Sequence, residues 1–486
     1  KEYRRQRQMC IRDSSGTKEG FDNVSIVENS TLTLINGTND GGLGLFGKSD
    51  DGDTYAVTFG GDGRLNLSGF TMLQSNQIKW GNFEGIVGLQ GTTNFTQIGQ
   101  AAYGVDLATG TTLTASGEDV KVDSFNFAGN ATLDLIAADN NGSSSALFTS
   151  TNGYTGSGDL TVEISQTQFE DSSKSLLNSA TNILDQDEDA GVNWIVAAGD
   201  AEALKDENTT VSIKVGGKDL EPVQTVELQK GVKGTYTLGT NTTSDDIGAS
   251  VGIGVNYKLT ALNVTTDASD FKLDAGSQTQ ADLAVRLTGV GSIGISGTIE
   301  VAYQGESNFG GTYALAKDAH LILSGNTSGI ATVDFGSDTN TGADLTLNNN
   351  QRLVLGTVGA GSTVTLQDEV VLTVHSSVAP ENKNVFAESS TLIGGTNTVL
   401  ALDESANLVV KNVSKTFADF DGLIGLRKGA HLTLTKGSEY SLDAIISNVS
   451  DSTVTLDEGS YSLSKSTYKG TWELGNSAEL NLDGNI

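Results

Sequence analysis

The chain alternates apolar and polar residues in short segments, each of which follows a turn-forming residue. Segments such as "NSTLTL" (29–34), "GNATLDL" (129–135), "GADLTL" (342–347) and "DSTVTL" (451–456) recur along its length. Alternation with a period of two predicts a short strand with one buried face. Gly, Asn, Asp and Ser favour the turns between such strands. The pattern therefore predicts an all-β protein built from many short strands.

The spacing of these segments predicts a solenoid. In the C-terminal part, the first apolar positions are separated by 24, 19, 44, 24, 22 and 26 residues, and the step of 44 is interpreted as two coils. These positions are Leu321, Leu345, Val364, Leu408, Leu432, Val454 and Leu480. Coils of about 20–25 residues cannot bury an apolar face alone, but stacked coils share one core. We expect a right-handed parallel β-helix. A tandem array of β-sandwiches, which would repeat at about 100 residues, is the alternative.

A longer unit occurs three times with identical spacing. Each copy has an aromatic residue, then Gly at +2, Leu at +6, Ala at +10, and Leu at +12 and +14. The copies are Phe309, Gly311, Leu315, Ala319, Leu321, Leu323; Phe420, Gly422, Leu426, Ala430, Leu432, Leu434; and Tyr468, Gly470, Leu474, Ala478, Leu480, Leu482. We predict that these residues define the repeat structurally, with the leucines pointing inward.

One region breaks the pattern and divides the chain. In "SSKSLLNSATNIL" (172–184), apolar residues at i, i+1, i+4, i+7 and i+8 predict an amphipathic helix. A strand-like stretch, "TTVSIKVGG" (209–217), follows it. We expect a small α/β excursion at 166–235, between an N-terminal solenoid part at 14–165 and a C-terminal part at 236–486.

Charge and composition exclude several classes of partner. The chain has 29 basic and 60 acidic residues, a formal net charge of −31. Such a charge disfavours nucleic acid and anionic lipid as partners. No run of 18 apolar residues occurs, so we expect no membrane insertion of this segment.

The first residues differ from everything that follows. "RRQRQMCIRD" (4–13) holds four arginines and the only cysteine, Cys10. Back-translated, it resembles read-through of a sequencing adapter, so residues 1–13 are interpreted as foreign and disordered. The alternative is a basic arm. Without this stretch the chain has no cysteine, which excludes disulfides, thiolate metal sites and cysteine nucleophiles.

The repeated unit at 309–323, 420–434 and 468–482 resembles the passenger-associated repeats of bacterial autotransporters (type V secretion). The resemblance implies a β-helical passenger displayed on the surface of a Gram-negative bacterium, acting in adhesion or self-association. It implies surface glycans, surface proteins or further copies of the chain as partners. It also implies a C-terminal translocator barrel, which this sequence lacks, and so we expect a truncated chain.

Catalytic and metal chemistry find little support in the sequence. It contains no GxSxG, HExxH or phosphate-loop motif. Of the three histidines, His320 and His431 occupy the same place in two repeat copies, and the third is His375. Acidic groups occur at Asp50-Asp51-x-Asp53, Asp185-x-Asp187-Glu188-Asp189 and Asp245-Asp246. We interpret them as solvated turns, with weak Ca²⁺ binding as the alternative.

The sequence therefore favours a non-catalytic surface protein with no cofactor. Two alternatives stay open. One is a β-helical carbohydrate-active enzyme, a polysaccharide lyase or glycosidase, which needs paired carboxylates and basic residues on one face. The other is a secreted scaffold or surface-layer component.

Overall fold

The computed structural model describes residues 8–10, 23–36, 57–75, 78–117, 120–136, 146–177, 183–184, 192–241, 252–336, 342–376 and 384–483. Their regular structure is nearly all β, and parallel strands stack as the turns of a β-solenoid, about 17 in all. This confirms the solenoid fold class predicted from the spacing of the segments. The chain divides into two compact units. Unit 1 comprises Lys1–Leu176, Glu188–Gln224 and Thr237–Lys258, and unit 2 comprises Leu177–Asp187, Thr225–Tyr236 and Leu259–Ile486.

Short strands make up nearly all of the described part of unit 1. In chain order they are β1 (Gln8–Cys10), β2 (Asn23–Ser25), β3 (Thr31–Ile35), β4 (Thr58–Gly61), β5 (Arg64–Ser68), β6 (Leu73–Gln74), β7 (Lys79–Phe83), β8 (Ile86–Gln90), β9 (Asn94–Gln97), β10 (Gly104–Leu107), β11 (Thr112–Ser116), β12 (Val120–Val122), β13 (Phe125–Ala128), β14 (Ala131–Ile136), β15 (Phe148–Ser150), β16 (Tyr154–Ile164), β17 (Val192–Ala198), β18 (Thr209–Val215) and β19 (Lys218–Asp219). Helix α1 (Gln166–Leu177) and a 3₁₀ turn (Glu202–Lys205) interrupt them.

The chain passes between the units at five points, three of which fall within the strands β20 (Val223–Gln229), β21 (Val232–Asn241) and β22 (Gly252–Val264). The described strands of unit 2 that follow are β23 (Lys272–Asp274), β24 (Ala281–Gly289), β25 (Ser292–Ser296), β26 (Thr298–Tyr303), β27 (Thr312–Leu315), β28 (His320–Gly325), β29 (Ala331–Asp334), β30 (Asp344–Leu347), β31 (Gln351–Leu355), β32 (Thr357–Val358), β33 (Thr363–Leu366), β34 (Val371–Val374), β35 (Asn384–Phe386), β36 (Thr391–Gly394), β37 (Val399–Leu402), β38 (Asn407–Val410), β39 (Asp419–Phe420), β40 (Leu423–Leu426), β41 (His431–Ser441), β42 (Ile445–Ser447), β43 (Thr453–Leu463), β44 (Thr467–Tyr468) and β45 (Thr471–Leu482). A four-residue helix (Val413–Thr416) precedes β39.

Stacked coils place equivalent residues in rows. Leu321, Leu345, Val364 and Leu392 pair in register on β28, β30, β33 and β36, and each is fully buried. Neighbouring strands lie about 4.8 Å apart, so such a row forms a continuous apolar seam. The alternation of the sequence thus becomes a core running along each unit.

The interpretation of the 44-residue step from Val364 to Leu408 as two coils is wrong. Val364 stacks on Leu392, 28 residues later, whereas Leu408 lies on a different sheet, where it pairs with Asn384 and Leu432. The cause is a change in coil shape. The coils of unit 2 have two strands up to β31 and gain a third with β32, which starts the sheet β32-β35-β38-β41-β43-β45.

The aromatic-x-Gly element of the repeat has a steric cause. A Cβ at Gly422 would lie 2.5 Å from the carbonyl oxygen of Thr398 on the preceding coil and 2.7 Å from the ring of Phe420. The aromatic ring thus folds over the glycine that follows it. The same crowding, from an aromatic ring and a carbonyl of the preceding coil, occurs at Gly311 and Gly470.

The third repeat copy occupies a different part of its coil from the other two. Leu315 and Leu426 end the strands β27 and β40 of one sheet, whereas Leu474 lies with Leu482 on β45 of another. Leu474 and Leu482 continue inward rows, yet they are 53% and 64% exposed. No described strand follows β45 in its sheet, so these leucines are covered on one side only.

The region at 166–235 contains both helix and strand, but the helix starts earlier than predicted. It begins at Gln166 rather than 172, because Ser165 caps it by accepting a hydrogen bond from the Gln168 N–H at 3.2 Å. Its buried side chains include Phe169 and Ser173, and the Ser173 hydroxyl lies 2.8 Å from the Tyr257 hydroxyl. Residues 178–182 of the predicted helix lie outside the described residues.

Three residues of the segment expected to be foreign have a defined place. Gln8–Cys10 form β1, which pairs in parallel with Thr31–Thr33. Residues 1–7 and 11–13 lie outside the described residues. The foreign origin of 1–13 stays a prediction.

We predict that inward leucines hold the solenoid together locally. Leu432 is fully buried between Leu408 and Val454, so Leu432→Asp would place an unpaired carboxylate in the core and destabilise its coil by several kcal/mol. Thr433→Asp, on the outer face of the same strand, should change stability by less than about 0.5 kcal/mol. Denaturant melting with limited proteolysis measures both. Equal damage by the two variants, or loss of protection throughout the chain, would contradict a stack of locally interacting coils.

Candidate functional site

A polar groove of about 590 Å³ lies on the outer face of the sheet β6-β9-β11-β14-β16-β18 in unit 1. Outward side chains of the last four of these strands line it, together with the turn at Gly110. The β18–β19 hairpin contributes Lys214 and Asp219, whose charged atoms are 3.7 Å apart. Strand β18, which extends the sheet by pairing with β16, belongs to the region at 166–235 that breaks the repeat.

A row of four hydroxyl groups forms part of the groove lining. Thr112, Thr132, Thr161 and Ser212 share one register position on four neighbouring strands. In the described part of the chain, none of these four side chains hydrogen-bonds to another residue. Each hydroxyl can donate one hydrogen bond and accept two. We therefore define the hydroxyl groove by these four residues; it offers an array of uncommitted donors and acceptors at the coil spacing of about 4.8 Å.

Two carboxylates lie beside the hydroxyl groove. Asp134 and Glu163 are in register on β14 and β16, one outward position beyond the hydroxyl row, and Lys214 follows on β18. Burial raises the pKa of Asp134, the hydrogen bond from Thr114 at 3.3 Å opposes this, and the charge of Glu163 raises the pKa further. The Glu163 carboxylate accepts the Gly217 N–H at 2.5 Å. A carboxyl group of raised pKa beside a second carboxylate is an arrangement found in acid–base sites.

The two histidines at equivalent repeat positions have equivalent roles. Nε2 of His320 lies 2.8 Å from the Thr346 hydroxyl, and Nε2 of His431 lies 2.8 Å from the Thr455 hydroxyl. In each case the threonine is on the next coil and two positions beyond the register partner. These histidines link neighbouring coils on the outer face.

His375 belongs to a charged cluster instead. The clustered residues Arg352, His375, Asp403 and Arg427 lie on the outer face of β31, β34, β37 and β40 or directly after these strands. Oδ2 of Asp403 accepts hydrogen bonds from Nη2 of Arg352 at 2.6 Å and from Nδ1 of His375 at 2.9 Å, and Oδ1 accepts one from Nη1 of Arg427 at 2.9 Å. We name this group the Arg–Asp–Arg cluster.

The Asp403 carboxylate is held ionised although it is buried, with 6% of its side chain exposed. Burial raises its pKa, but the hydrogen bonds from Arg352, His375 and the Glu404 N–H, together with the Arg352 charge, outweigh burial. The pKa of Asp403 is therefore well below its ordinary value. The cluster ties four neighbouring coils together on their outer face.

The acidic groups considered for Ca²⁺, at 50–53, 185–189 and 245–246, lie outside the described residues. Over the described ranges, no three His, Cys, Asp or Glu side chains are grouped so as to hold a metal ion. No helix in the part of the chain that the structure describes has the length and apolarity needed to cross a membrane.

Sequence reasoning missed both sites for the same reason. The hydroxyl row joins residues separated by 20, 29 and 51 positions, and the Arg–Asp–Arg cluster extends from Arg352 to Arg427. The length of each coil determines which residues become register partners on neighbouring strands. Because these lengths vary, the partners could not be identified from the sequence. The outward threonines of "NATLDL" and "GDLTV" were visible as a pattern, but their alignment across the α1 region was not.

No family model, curated protein or solved structure matches this chain. The assignment of a function therefore depends on its own residues.

We predict that Asp403 stabilises unit 2 in a pH-dependent way. Asp403→Asn removes the charge that holds Arg352 and Arg427 and should lower the free energy of unfolding by about 2 kcal/mol at pH 7. Because the folded pKa is depressed, this contribution is complete above the unfolded pKa of about 3.9 and disappears as the pH falls through the folded pKa.

Urea melts of wild type and variant between pH 7 and pH 2 measure the difference. The exposed Asp419→Asn is the matched control and should change stability by less than about 0.5 kcal/mol. A stability difference that is absent at pH 7, or that stays undiminished at pH 2, would contradict this role.

Proposed function

We propose that this protein is a non-catalytic β-solenoid that acts in adhesion by binding glycans in the hydroxyl groove. The observation that carries the proposal is the row Thr112, Thr132, Thr161 and Ser212, with hydroxyls held at regular spacing and committed to no other described residue. A polyhydroxylated ligand is recognised through several such bonds at once, each of about 0.5–1.5 kcal/mol.

The remaining features of the groove support a weak, multivalent binder. Its lining residues are Gly, Ala, Thr, Ser, Asn, Asp and Lys, so large apolar contacts contribute nothing to affinity there. A single site built from hydrogen bonds binds weakly, because the ligand gives up comparable bonds with water. Attachment through many copies on one surface raises the overall avidity without new contacts.

Surface display completes the proposal. The repeats at 309–323, 420–434 and 468–482 resemble those of autotransporter passengers, and the net charge of −31 suits a protein that stays soluble outside a cell. We accordingly propose display on the surface of a Gram-negative bacterium, with host or bacterial surface glycans as partners. Self-association in biofilms is the competing form of adhesion.

We expect Thr132→Val with Thr161→Val to weaken glycan binding about tenfold or more, since valine keeps the β-branched shape and removes two hydroxyls. An array of neutral and acidic glycans identifies the ligand, and calorimetry with that glycan compares the variants. The matched control, Thr332→Val with Thr365→Val, changes two outward threonines of unit 2 and should bind as wild type does. An array on which no glycan is retained, or equal weakening by both pairs, would overturn the proposal.

A second candidate, a carbohydrate-active enzyme, is favoured by the Asp134–Glu163 pair. The two residues are register partners on neighbouring strands, and retaining glycosidases use a pair of nearby carboxyl groups. Asp134, with its raised pKa, would be the acid and Glu163 the nucleophile. Release of reducing ends that disappears in Glu163→Gln but persists in the exposed Glu227→Gln would favour this candidate. Recovery of the bound glycan intact would favour the first.

A further inference from the structure

We propose that the Arg–Asp–Arg cluster of unit 2 binds an oxyanion, namely the carboxylate, sulfate or phosphate group of a ligand, across the guanidinium groups of Arg352 and Arg427. The site is separate from the hydroxyl groove, and neither depends on the other. This site would recognise a charged group, whereas the groove is proposed to recognise hydroxyl groups.

The charge balance of the cluster is the first argument. Two guanidinium groups share a single carboxylate, so the cluster carries at least one surplus positive charge in a chain of net charge −31. The adjacent turn residues, Glu404 and Lys428, are both exposed and have opposite charges. Their charges cancel each other, so they do not neutralise the surplus positive charge of the cluster.

Exposure is the second argument. Only 6% of the Asp403 side chain is exposed, whereas 52% of Arg352 and 58% of Arg427 are exposed. Each guanidinium uses one nitrogen on Asp403 and has five N–H donors in a planar fork. The carboxylate is therefore covered while both guanidinium groups reach solvent, and in the described part of the chain each guanidinium makes one hydrogen bond, to Asp403.

A comparison within the same chain separates this cluster from an ordinary ion pair. In unit 1, Arg64 bonds to Asn66 at 2.7 Å and to Asp106, with one positive charge for one negative. Asn126 and Thr155 extend that row by hydrogen bonds at 2.8 Å and 3.0 Å. Arg64 is satisfied from both sides and only 33% exposed. In the unit 2 cluster, the carboxylate binds a second arginine, whereas Asp106 in unit 1 binds the uncharged Asn126.

Asp403 also prepares the site for a ligand. It fixes Arg352 and Arg427 on opposite carboxylate oxygens, and the two arginines come from strands on either side of β34 and β37. An oxyanion that bridges them finds the guanidinium planes already ordered, which lowers the entropy lost on binding. Arginine recognises carboxylate, sulfate and phosphate by parallel N–H···O bonds that lysine cannot reproduce.

The test is a titration of the full chain with trigalacturonate, a sulfated disaccharide and inorganic phosphate, followed by ¹H–¹⁵N spectra of the histidine rings. With only three histidines, the His375 signal is readily assigned by comparison with a His375→Gln variant. We expect at least one probe to shift His375 saturably and to leave His320 and His431 unchanged. The probe that binds identifies the oxyanion, and the methyl ester of trigalacturonate should not bind.

Variants separate this site from general attraction of anions. Arg427→Gln, Arg352→Gln and the charge-conserving Arg427→Lys should each weaken binding at least tenfold, whereas the exposed Arg286→Gln on β24 should leave it unchanged. Thermal melting shows which variants stay folded. Arg427→Lys keeps a positive charge beside the Asp403 carboxylate. No saturable shift with any probe, or binding that survives both Arg352→Gln and Arg427→Gln, would overturn the proposal.

Discussion

Register between successive coils is the constraint on which the whole structure depends. A coil of 20–30 residues buries its apolar residues only if the next coil places apolar residues directly above them, and parallel hydrogen bonding fixes that position. A shift by one residue would turn each inward leucine outward. The rows that include Leu321, Leu345 and Val364 show that the sequence keeps this alignment although the coil length changes from 24 to 19 residues.

The same register makes the outer face a set of ordered polar rows. Outward side chains follow the inward ones at a fixed distance, so a row of threonines or a set of charges is aligned without any further scaffold. The hydroxyl groove, the histidine–threonine links and the Arg–Asp–Arg cluster are three products of that alignment. Binding sites on this protein are therefore best sought along the coil axis rather than in enclosed cavities.

Local pattern was sufficient to predict strands, turns and the repeat, because period-two alternation and turn residues act over a few positions. It was insufficient wherever coil geometry decided the outcome. The third strand that the coils gain at β32 placed Leu408 in a different row from Val364. The start of α1 is a different case, because the cap at Ser165 is a local feature. "SQTQ" (165–168) does carry the Ser-x-x-Gln signal of a capping box, which the sequence reasoning overlooked. The pairing of Asp403 with two distant arginines leaves no local trace.

Disulfide trapping tests the stacking register most directly. In a Cys10→Ser background, Thr363→Cys with Thr391→Cys places two thiols on adjacent register partners, whose Cα atoms are about 4.8 Å apart. Thr365→Cys with Thr391→Cys lies on the same face but two residues out of register, at about 8 Å. We expect rapid oxidation of the first pair under mild conditions and none of the second. Equal oxidation of both pairs, or faster oxidation of the second, would contradict the stacking register.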